Sequence, residues 1–396
     1  MGEWEAAIMK TTNKRKIIFF GFCLAVPIIV LIVVVREGIK SKEPIRIGLV
    51  STFTGGASTR GIHQRNGAIF AVEQINSIGG IKGRQVDLIV LDDKADPEEA
   101  LRVVRELITK EVSAILGPFL STSAVAVLPV VNEKNVLMMG FAIGAELSGL
   151  DDNFIRMTIP LDRRTLPLAS LFYNDLQASE ICVVTDISNS AYSMSLYNGI
   201  KKEYNKLGGK VSKHITRDFS KEFSAPGIAG EIIDSNCKGV FIITNGIRSA
   251  LICQHLRRQG YLLEVVVAPW GFFDLEFIKN GGLAVEGALS VGGMINYESS
   301  NEDYLEFVHA YEERFGEKVS RSAQMAYATA QVLFYGLSKT DDPKQLKEII
   351  LQKGNFSSVE GQTTVIDQYG DAYRPISVFE VQNGKITYTN RIEMRE

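Results

Sequence analysis

Three hydroxyl side chains, Ser121, Thr122 and Ser123, follow the short apolar stretch Ala114 to Leu116. The apolar stretch predicts a strand, and the three hydroxyl residues then open the next helix. The first N–H groups of a helix have no partners within it, and the positive end of the helix dipole adds to their attraction for an anion. The pattern therefore indicates a carboxylate-binding position, with a plain helix cap as the other interpretation.

Motifs for covalent or hydrolytic chemistry are missing from the sequence. There is no G-x-S-x-G, no H-E-x-x-H and no Walker loop. Asp92 and Asp93 are adjacent acids at the end of a predicted strand, but successive strand residues face opposite ways, so they are poor partners for acid–base work. We therefore expect no enzymatic activity.

Cysteine and histidine are sparse and scattered. The four cysteines show no C-x-x-C spacing and the four histidines no H-x-x-x-H pairing, which argues against a zinc site and a disulfide framework. We expect no disulfide framework, no metal and no other cofactor. These residues are Cys23, Cys182, Cys237, Cys253, His63, His214, His255 and His309.

The composition is that of a globular protein with a large core, because 45% of its 396 residues are hydrophobic. The 43 basic and 46 acidic side chains leave a net charge of −3. Binding along a nucleic acid needs a basic excess to neutralise phosphates, so nucleic acid is not an expected partner.

One segment is long and apolar enough to cross a membrane. Ile17 to Val35 contains 19 residues without a charge and would span roughly 28 Å as a helix. The basic run Lys14 to Lys16 precedes it, in the order of a secretory signal, and no small-x-small cleavage site follows. We interpret 1–16 as a cytoplasmic N-terminus, 17–35 as an uncleaved single-pass anchor and 36–44 as a linker. A cleaved signal and a lipid on Cys23 are the alternatives, although Phe22 stands where a lipoprotein signal needs a small residue.

Beyond residue 44, short apolar runs alternate with helical periods, which predicts an α/β fold with parallel sheets. The pattern occurs twice, so we expect two Rossmann-like lobes, 45–161 with 293–368 and 162–292 with 369–396, joined by a hinge. The predicted strands are Ile45 to Val50, Val86 to Leu91, Ala114 to Leu116, Val136 to Met139, Ile181 to Thr185, Val211 to Ile215, Val240 to Thr244 and Val265 to Ala268. Asp96 and Pro97 mark a helix start, and Asn383-Gly384 marks a hairpin turn.

Five segments of the first half occur in an order and at a spacing that resemble a known family. Together they resemble the Leu/Ile/Val-binding branch of the type I periplasmic binding proteins, the solute receptors of branched-chain amino-acid ABC transporters. The resemblance implies two lobes, joined by three hinge strands, that close on a small solute. The segments are Gly48 to Gly61, Ile75 to Gly83, Asp92 to Ala100, Gly117 to Ser123 and Val136 to Leu147.

The resemblance also implies which residues touch the ligand. Ser121 matches the family's carboxylate-binding serine, Phe119 a residue that contributes its backbone, and Tyr192 a tyrosine of the pocket wall. Ala142 and Ile143 lie in a segment that lacks the family's expected threonine, and we include both as ligand contacts.

Two further positions depart from the family. Trp270 stands where amino-acid receptors place the acidic partner of the ligand's ammonium group, and Arg60 where they place an aromatic wall. An unpaired ammonium group in a closed cleft is costly, so we expect leucine, isoleucine and valine to bind weakly. Arg60 and Arg248 can receive carboxylates instead, or lie solvated on the rim.

The resulting expectation is a membrane-tethered solute-binding protein. Its binding region faces the periplasm or cell exterior, takes a small carboxylate or amino-acid-like solute, and delivers it to ABC permease subunits. A sensor ectodomain of the same fold is the alternative; the roughly 16-residue cytoplasmic part, too short for a signalling domain, favours transport.

Overall fold

Short strands alternate with helices throughout the computed structural model, which describes residues 43–262, 264–293 and 301–389. Each helix carries the chain back to the edge where the preceding strand began, so successive strands run parallel. Two large sheets result, and each is the centre of one lobe, as the sequence predicts.

The first lobe contains a five-stranded parallel sheet in the order β2-β1-β3-β4-β5. Asp96 caps one of its helices by accepting hydrogen bonds from the N–H groups of Glu98 and Glu99, which confirms the predicted start at Pro97. The elements are β1 (Ile45–Ser51), α1 (Ser58–Ser77), β2 (Val86–Asp92), α2 (Pro97–Thr109), β3 (Ala114–Leu116), α3 (Ser121–Lys134), β4 (Leu137–Gly140) and β5 (Phe154–Arg156).

The second lobe begins after β5 and contains most of a seven-stranded sheet. Five of the seven strands are parallel. The elements up to the next crossing are α4 (Asp162–Ser170), β6 (Glu180–Asp186), α5 (Ser190–Lys206), β7 (Lys210–Arg217), α6 (Ala225–Asp234), β8 (Gly239–Ile243), α7 (Gly246–Arg258), β9 (Val265–Val267), α8 (Pro269–Phe272), α9 (Leu275–Gly281) and β10 (Leu289–Gly293).

The last part of the chain contributes elements to both lobes. Three helices return to the first lobe, where a β-carbon on Gly67 of α1 would lie 2.0 Å from the carbonyl oxygen of Ala323, so only glycine permits this helix contact. The chain then re-enters the second sheet, whose full order is β15-β14-β10-β9-β8-β6-β7. The elements are α10 (Glu302–Phe315), α11 (Arg321–Lys339), α12 (Leu346–Lys353), β11 (Asn355–Ser357), β12 (Thr363–Ile366), β13 (Ala372–Tyr373), β14 (Ile376–Gln382) and β15 (Lys385–Tyr388).

The hairpin predicted at Asn383-Gly384 is confirmed. It joins β14 to β15, with Gln382 paired to Lys385. Asn383 and Gly384 have φ values of 54° and 70°, and a two-residue turn with two positive φ angles matches the twist of the flanking strands.

One pair of cysteines forms a disulfide that their scattered spacing did not predict. Cys182 on β6 and Cys237 just before β8 form a disulfide, with their Cα atoms 5.8 Å apart. β6 and β8 are hydrogen-bonded neighbours, so the topology brings together residues that are 55 positions apart. Cys253 is a buried thiol, and burial raises its pKa to about 12.

An ion pair is buried at the outer edge of the first sheet. The Nε of Arg156, on β5, donates to Asp371 Oδ1 at 2.8 Å, and its Nη2 donates to the carbonyl oxygen of Leu147 at 2.7 Å. The second oxygen of Asp371 accepts a hydrogen bond from Gly149 N at 3.0 Å. The charge on the fully buried Arg156 is therefore matched within the fold.

Within the described residues, no helix is both long and apolar enough to span a bilayer. The predicted anchor 17–35, the predicted cytoplasmic segment 1–16 and most of the predicted linker lie outside those residues.

Candidate functional site

A cleft lies between the two lobes and contains about 670 Å³ of empty space, open solvent included. Both lobes supply its walls, and six of the eight predicted contact residues lie there. The residues that line the cleft include Arg60, Phe119, Ser121, Phe141, Ile143, Thr158, Arg164, Tyr192, Trp270, Asp274 and Arg321.

Ser121 begins α3 and is 2% exposed. Its Oγ accepts two hydrogen bonds from the backbone, at 3.0 Å from Ile143 N and 3.1 Å from Gly144 N. A serine hydroxyl has two acceptor positions and one proton, so both acceptor positions of Ser121 are filled. Its proton is left to donate, and a carboxylate oxygen is a suitable acceptor.

The next residue of α3 joins the two lobes. The backbone N–H of Thr122 donates to Asn189 Oδ1 at 3.1 Å, and its Oγ1 accepts a hydrogen bond from Ala191 N at 3.2 Å. Asn189 and Ala191 flank the start of α5 in the second lobe. The lobes are thus in contact beside Ser121.

Aromatic rings form two walls of the cleft. In the first lobe Phe119 stacks on Phe141 with ring centroids 4.3 Å apart and an interplanar angle of 11°. In the second lobe Tyr192 meets Trp270 edge to face at 5.6 Å, and the backbone N–H of Trp270 donates to the Tyr192 hydroxyl at 3.4 Å. These walls suit an apolar or aromatic ligand body.

Arg60 and Asp274 bring opposite charges to the cleft from different lobes. Burial lowers the pKa of Arg60, while the charge of Asp274 acts in the opposite direction. Burial likewise raises the pKa of Asp274, which Arg60 and His63 oppose. Asp274 also accepts a hydrogen bond from Glu276 N at 3.1 Å, at the start of α9.

Arg164 is a second cation of the cleft and is only 3% exposed. Its Nη2 donates to Thr158 Oγ1 at 3.0 Å, and its Nε donates to the carbonyl oxygen of Ile159 at 3.2 Å. The pKa of Arg164 is lowered to about 10, chiefly by burial, with an opposing contribution from Tyr192 and a smaller lowering by repulsion from Arg60. Among the residues that the structure describes, no carboxylate forms an ion pair with it.

Two predicted contact residues lie elsewhere. Ala142 is 1% exposed and packs in the apolar core of the first lobe. Arg248 on α7 donates to Asp186 Oδ2 at 3.0 Å and to the carbonyl oxygen of Phe219 at 2.7 Å, so its charge is matched inside the second lobe. Neither residue lines the cleft.

Arg164 and Asp274 were missed from the sequence. Asp274 follows Trp270 by four positions and precedes a short helix in a capping pattern, a signal that places it near the same strand end. No local pattern marks Arg164, which becomes part of the cleft only because the chain crosses between the sheets just before α4. In the described part of the chain, no group of three or more His, Cys, Asp or Glu is placed to hold a metal ion.

Comparison with known proteins agrees with this architecture. Residues 44–385 match the family model for periplasmic binding proteins. The Leu/Ile/Val-binding protein homolog 2 of Brucella abortus is 24% identical over 379 residues, which cover 94% of this chain and 97% of that protein.

Solved structures share the fold. A leucine-binding protein from Thermotoga maritima is similar with a TM-score of 0.77 and 25% identity, over 87% of this chain and 97% of that one. A solute-binding protein of an ABC transporter from R. palustris, solved in complex with benzoate, has a TM-score of 0.77 at 17% identity, over 87% of this chain and 95% of that one.

Proposed function

Because the chain belongs to the periplasmic binding protein family, we propose that it captures a small carboxylate or amino-acid-like solute between its lobes. It then delivers the solute to an ABC transporter of the branched-chain amino-acid type. The related proteins are solute-binding receptors and not enzymes.

The observation that carries this proposal is the hydrogen bonding of Ser121. Both of its acceptor positions are occupied by the backbone N–H groups of Ile143 and Gly144, so its remaining proton is available to an acceptor in the cleft. A carboxylate there also gains from the positive end of the α3 dipole.

Capture and release require the lobes to separate. The chain passes from the first lobe to the second after β5 and again between β13 and β14, and it returns from the second lobe to the first between β10 and α10. We infer that these three crossings act as the hinge and that opening breaks the contacts of Thr122 with Asn189 and Ala191.

The charges of the cleft favour a carboxylate over a neutral amino acid. An ammonium group needs Asp274 as its partner, and that carboxylate already lies within the electrostatic reach of Arg60. Micromolar binding of leucine would show that Asp274 accepts an ammonium group after all.

We also propose that 17–35 anchors the chain in the cell membrane as a single-pass helix, with the lobes on the extracytoplasmic side. A chain that begins at Lys42 is then expected in the soluble fraction and the full chain in the membrane fraction. Recovery of both chains in the soluble fraction of fractionated cells would contradict the anchor.

Titration calorimetry on the purified chain tests the proposed binding function. We expect carboxylates with an apolar body to bind, and Ser121→Ala to weaken that binding by about 1–3 kcal/mol because the ligand loses a buried donor. Ser338→Ala, which removes a hydroxyl from the exposed end of α11, is the matched control. The proposal fails if no carboxylate binds, or if both variants bind alike.

A further inference from the structure

Arg164 is a buried cation for which the described part of the chain supplies no carboxylate partner. It is 3% exposed, and its described hydrogen bonds go to the neutral acceptors Thr158 and Ile159. A buried guanidinium group keeps its full charge, and neutral acceptors compensate that charge only in part. An anion beside Arg164 would supply the missing compensation.

Two other groups of the cleft lie within the electrostatic reach of Arg164. Arg60 repels it, and Tyr192 lies within the electrostatic reach of both guanidinium groups. Burial raises the pKa of Tyr192, so the group is a neutral phenol at pH 7. The Tyr192 oxygen accepts a hydrogen bond from Trp270 N, which leaves the phenol proton to be donated. An anion at these three groups would relieve the repulsion between the arginines and accept a hydrogen bond from the phenol O–H.

The other charged residues described in the cleft do not supply a counter-charge to Arg164. Asp274 interacts electrostatically with Arg60 and His63, whereas the titratable groups that act on Arg164 are Tyr192 and Arg60. Arg321 also lines the cleft, where its guanidinium group lies 4.0 Å from the centre of the Phe273 ring. Asp274 is the one carboxylate among the described lining residues, and it acts on Arg60.

This group of residues is separate from the first carboxylate position. Ser121 is held by Ile143 and Gly144 of the first lobe, whereas Arg164 is held by Thr158 and Ile159, in the crossing that follows β5. Stacked and edge-on aromatic rings line the same cleft. One cleft thus offers two places for negative charge together with an apolar wall.

We propose that Arg60, Arg164 and Tyr192 form a second anion subsite, and that the preferred ligand is a dicarboxylate with an apolar or aromatic body. One carboxylate binds at Ser121 and the start of α3, and the other at the second subsite. The inference rests on the proposed solute-binding function and names the chemical class of its ligand.

Pairs of acids with the same carbon skeleton test the inference on the purified full-length chain. The pairs are pentanoate with glutarate, hexanoate with adipate, and 4-methylbenzoate with terephthalate. In titration calorimetry at pH 7 we expect the dicarboxylate of at least one pair to bind at least about tenfold more tightly, as for a charge-assisted hydrogen bond.

Variants then assign the difference to the subsite. Arg164→Gln should abolish the advantage of the dicarboxylate, with a smaller loss for the monocarboxylate, and Ser121→Ala should weaken both acids of a pair. Arg163→Gln removes the same charge from an exposed neighbour and should change neither affinity. Arg60→Gln should reduce the advantage, and it provides a second test if Arg164→Gln does not fold.

The outcomes separate the two proposals. Equal affinity for both acids of every pair overturns the second subsite and leaves the binding function intact. An equal loss for both acids in Arg164→Gln also overturns it. Failure of every acid to bind overturns the binding function, and the subsite with it.

Discussion

Two arginines only eight positions apart are both buried, one at the outer edge of the first sheet and one in the cleft. Arg156 lies against Asp371, which neutralises it and is itself hydrogen-bonded by Gly149. Arg164 has only neutral acceptors in the described chain. The first arrangement has its counter-charge within the fold, whereas in the proposed second subsite an anion would supply the counter-charge of Arg164.

The difference separates residues that support the fold from residues that support binding. Removing one member of a complete buried pair leaves the other charge without compensation, which is strongly destabilising. Removing a buried charge that has no counter-charge relieves a desolvation cost instead. Substitution of Asp371 should therefore change the stability of the fold, and substitution of Arg164 should change the affinity for the ligand.

The largest effect is expected for Asp371→Ala. This change leaves the buried charge of Arg156 without its partner, so the free energy of unfolding should fall by about 3–5 kcal/mol. Urea denaturation measures the loss. Asp341→Ala, which breaks the exposed pair with Lys82, is the control and should cost less than about 1 kcal/mol. Similar small losses in both variants would mean that the Arg156–Asp371 pair does not support the fold.

A smaller effect on stability is expected for Arg164→Met. The variant loses hydrogen bonds to Thr158 and Ile159 but no longer buries a charge, so we expect a net change within about 1 kcal/mol. Urea denaturation without added ligand provides the value. A loss as large as that of Asp371→Ala would place Arg164 among the residues that hold the fold together.

The smallest effect is expected for Asp274→Asn, which removes the negative charge beside Arg60. Affinity for a dicarboxylate at pH 7 should rise roughly two- to fivefold, because charges in a partly screened cleft interact weakly. Calorimetry measures the change. Unchanged or weaker binding would show that Asp274 serves the ligand rather than opposing it.

The pH dependence of anion binding provides a further test of the role of Asp274. Burial raises the pKa of Asp274, so this carboxyl is protonated at a higher pH than an ordinary one, and anion affinity should rise as the pH falls below 7. Arg60, His63 and Glu276 face the carboxyl and are present in both proteins. The rise should therefore be smaller in Asp274→Asn, and identical pH profiles would contradict this role.

Local signals in the sequence were enough to predict much of the fold. Asp96 and Pro97 fix a helix start through contacts within three residues, and Asn383-Gly384 fixes a hairpin in the same way. Ser121 at the start of α3 was likewise predicted from its neighbours. In each case the residues that determine the structure are adjacent in the chain.

Features that depend on distant partners were not predictable in this way. The three-residue strand β5 is too short for a periodic pattern and is defined by its pairing with β4. Arg248 was predicted to face the ligand, but Asp186, 62 positions earlier, pairs with it. The Cys182–Cys237 bond and the position of Arg164 in the cleft also follow from the topology and not from local sequence.

The bond between Cys182 and Cys237 has a consequence for where the chain matures. Protein disulfides form in oxidising compartments, and cytosolic thiols are kept reduced. The bond links neighbouring strands of the second sheet, so a chain that folds before export would keep two buried thiols at this position. The oxidation state of this pair therefore indicates whether the second lobe folded before or after export.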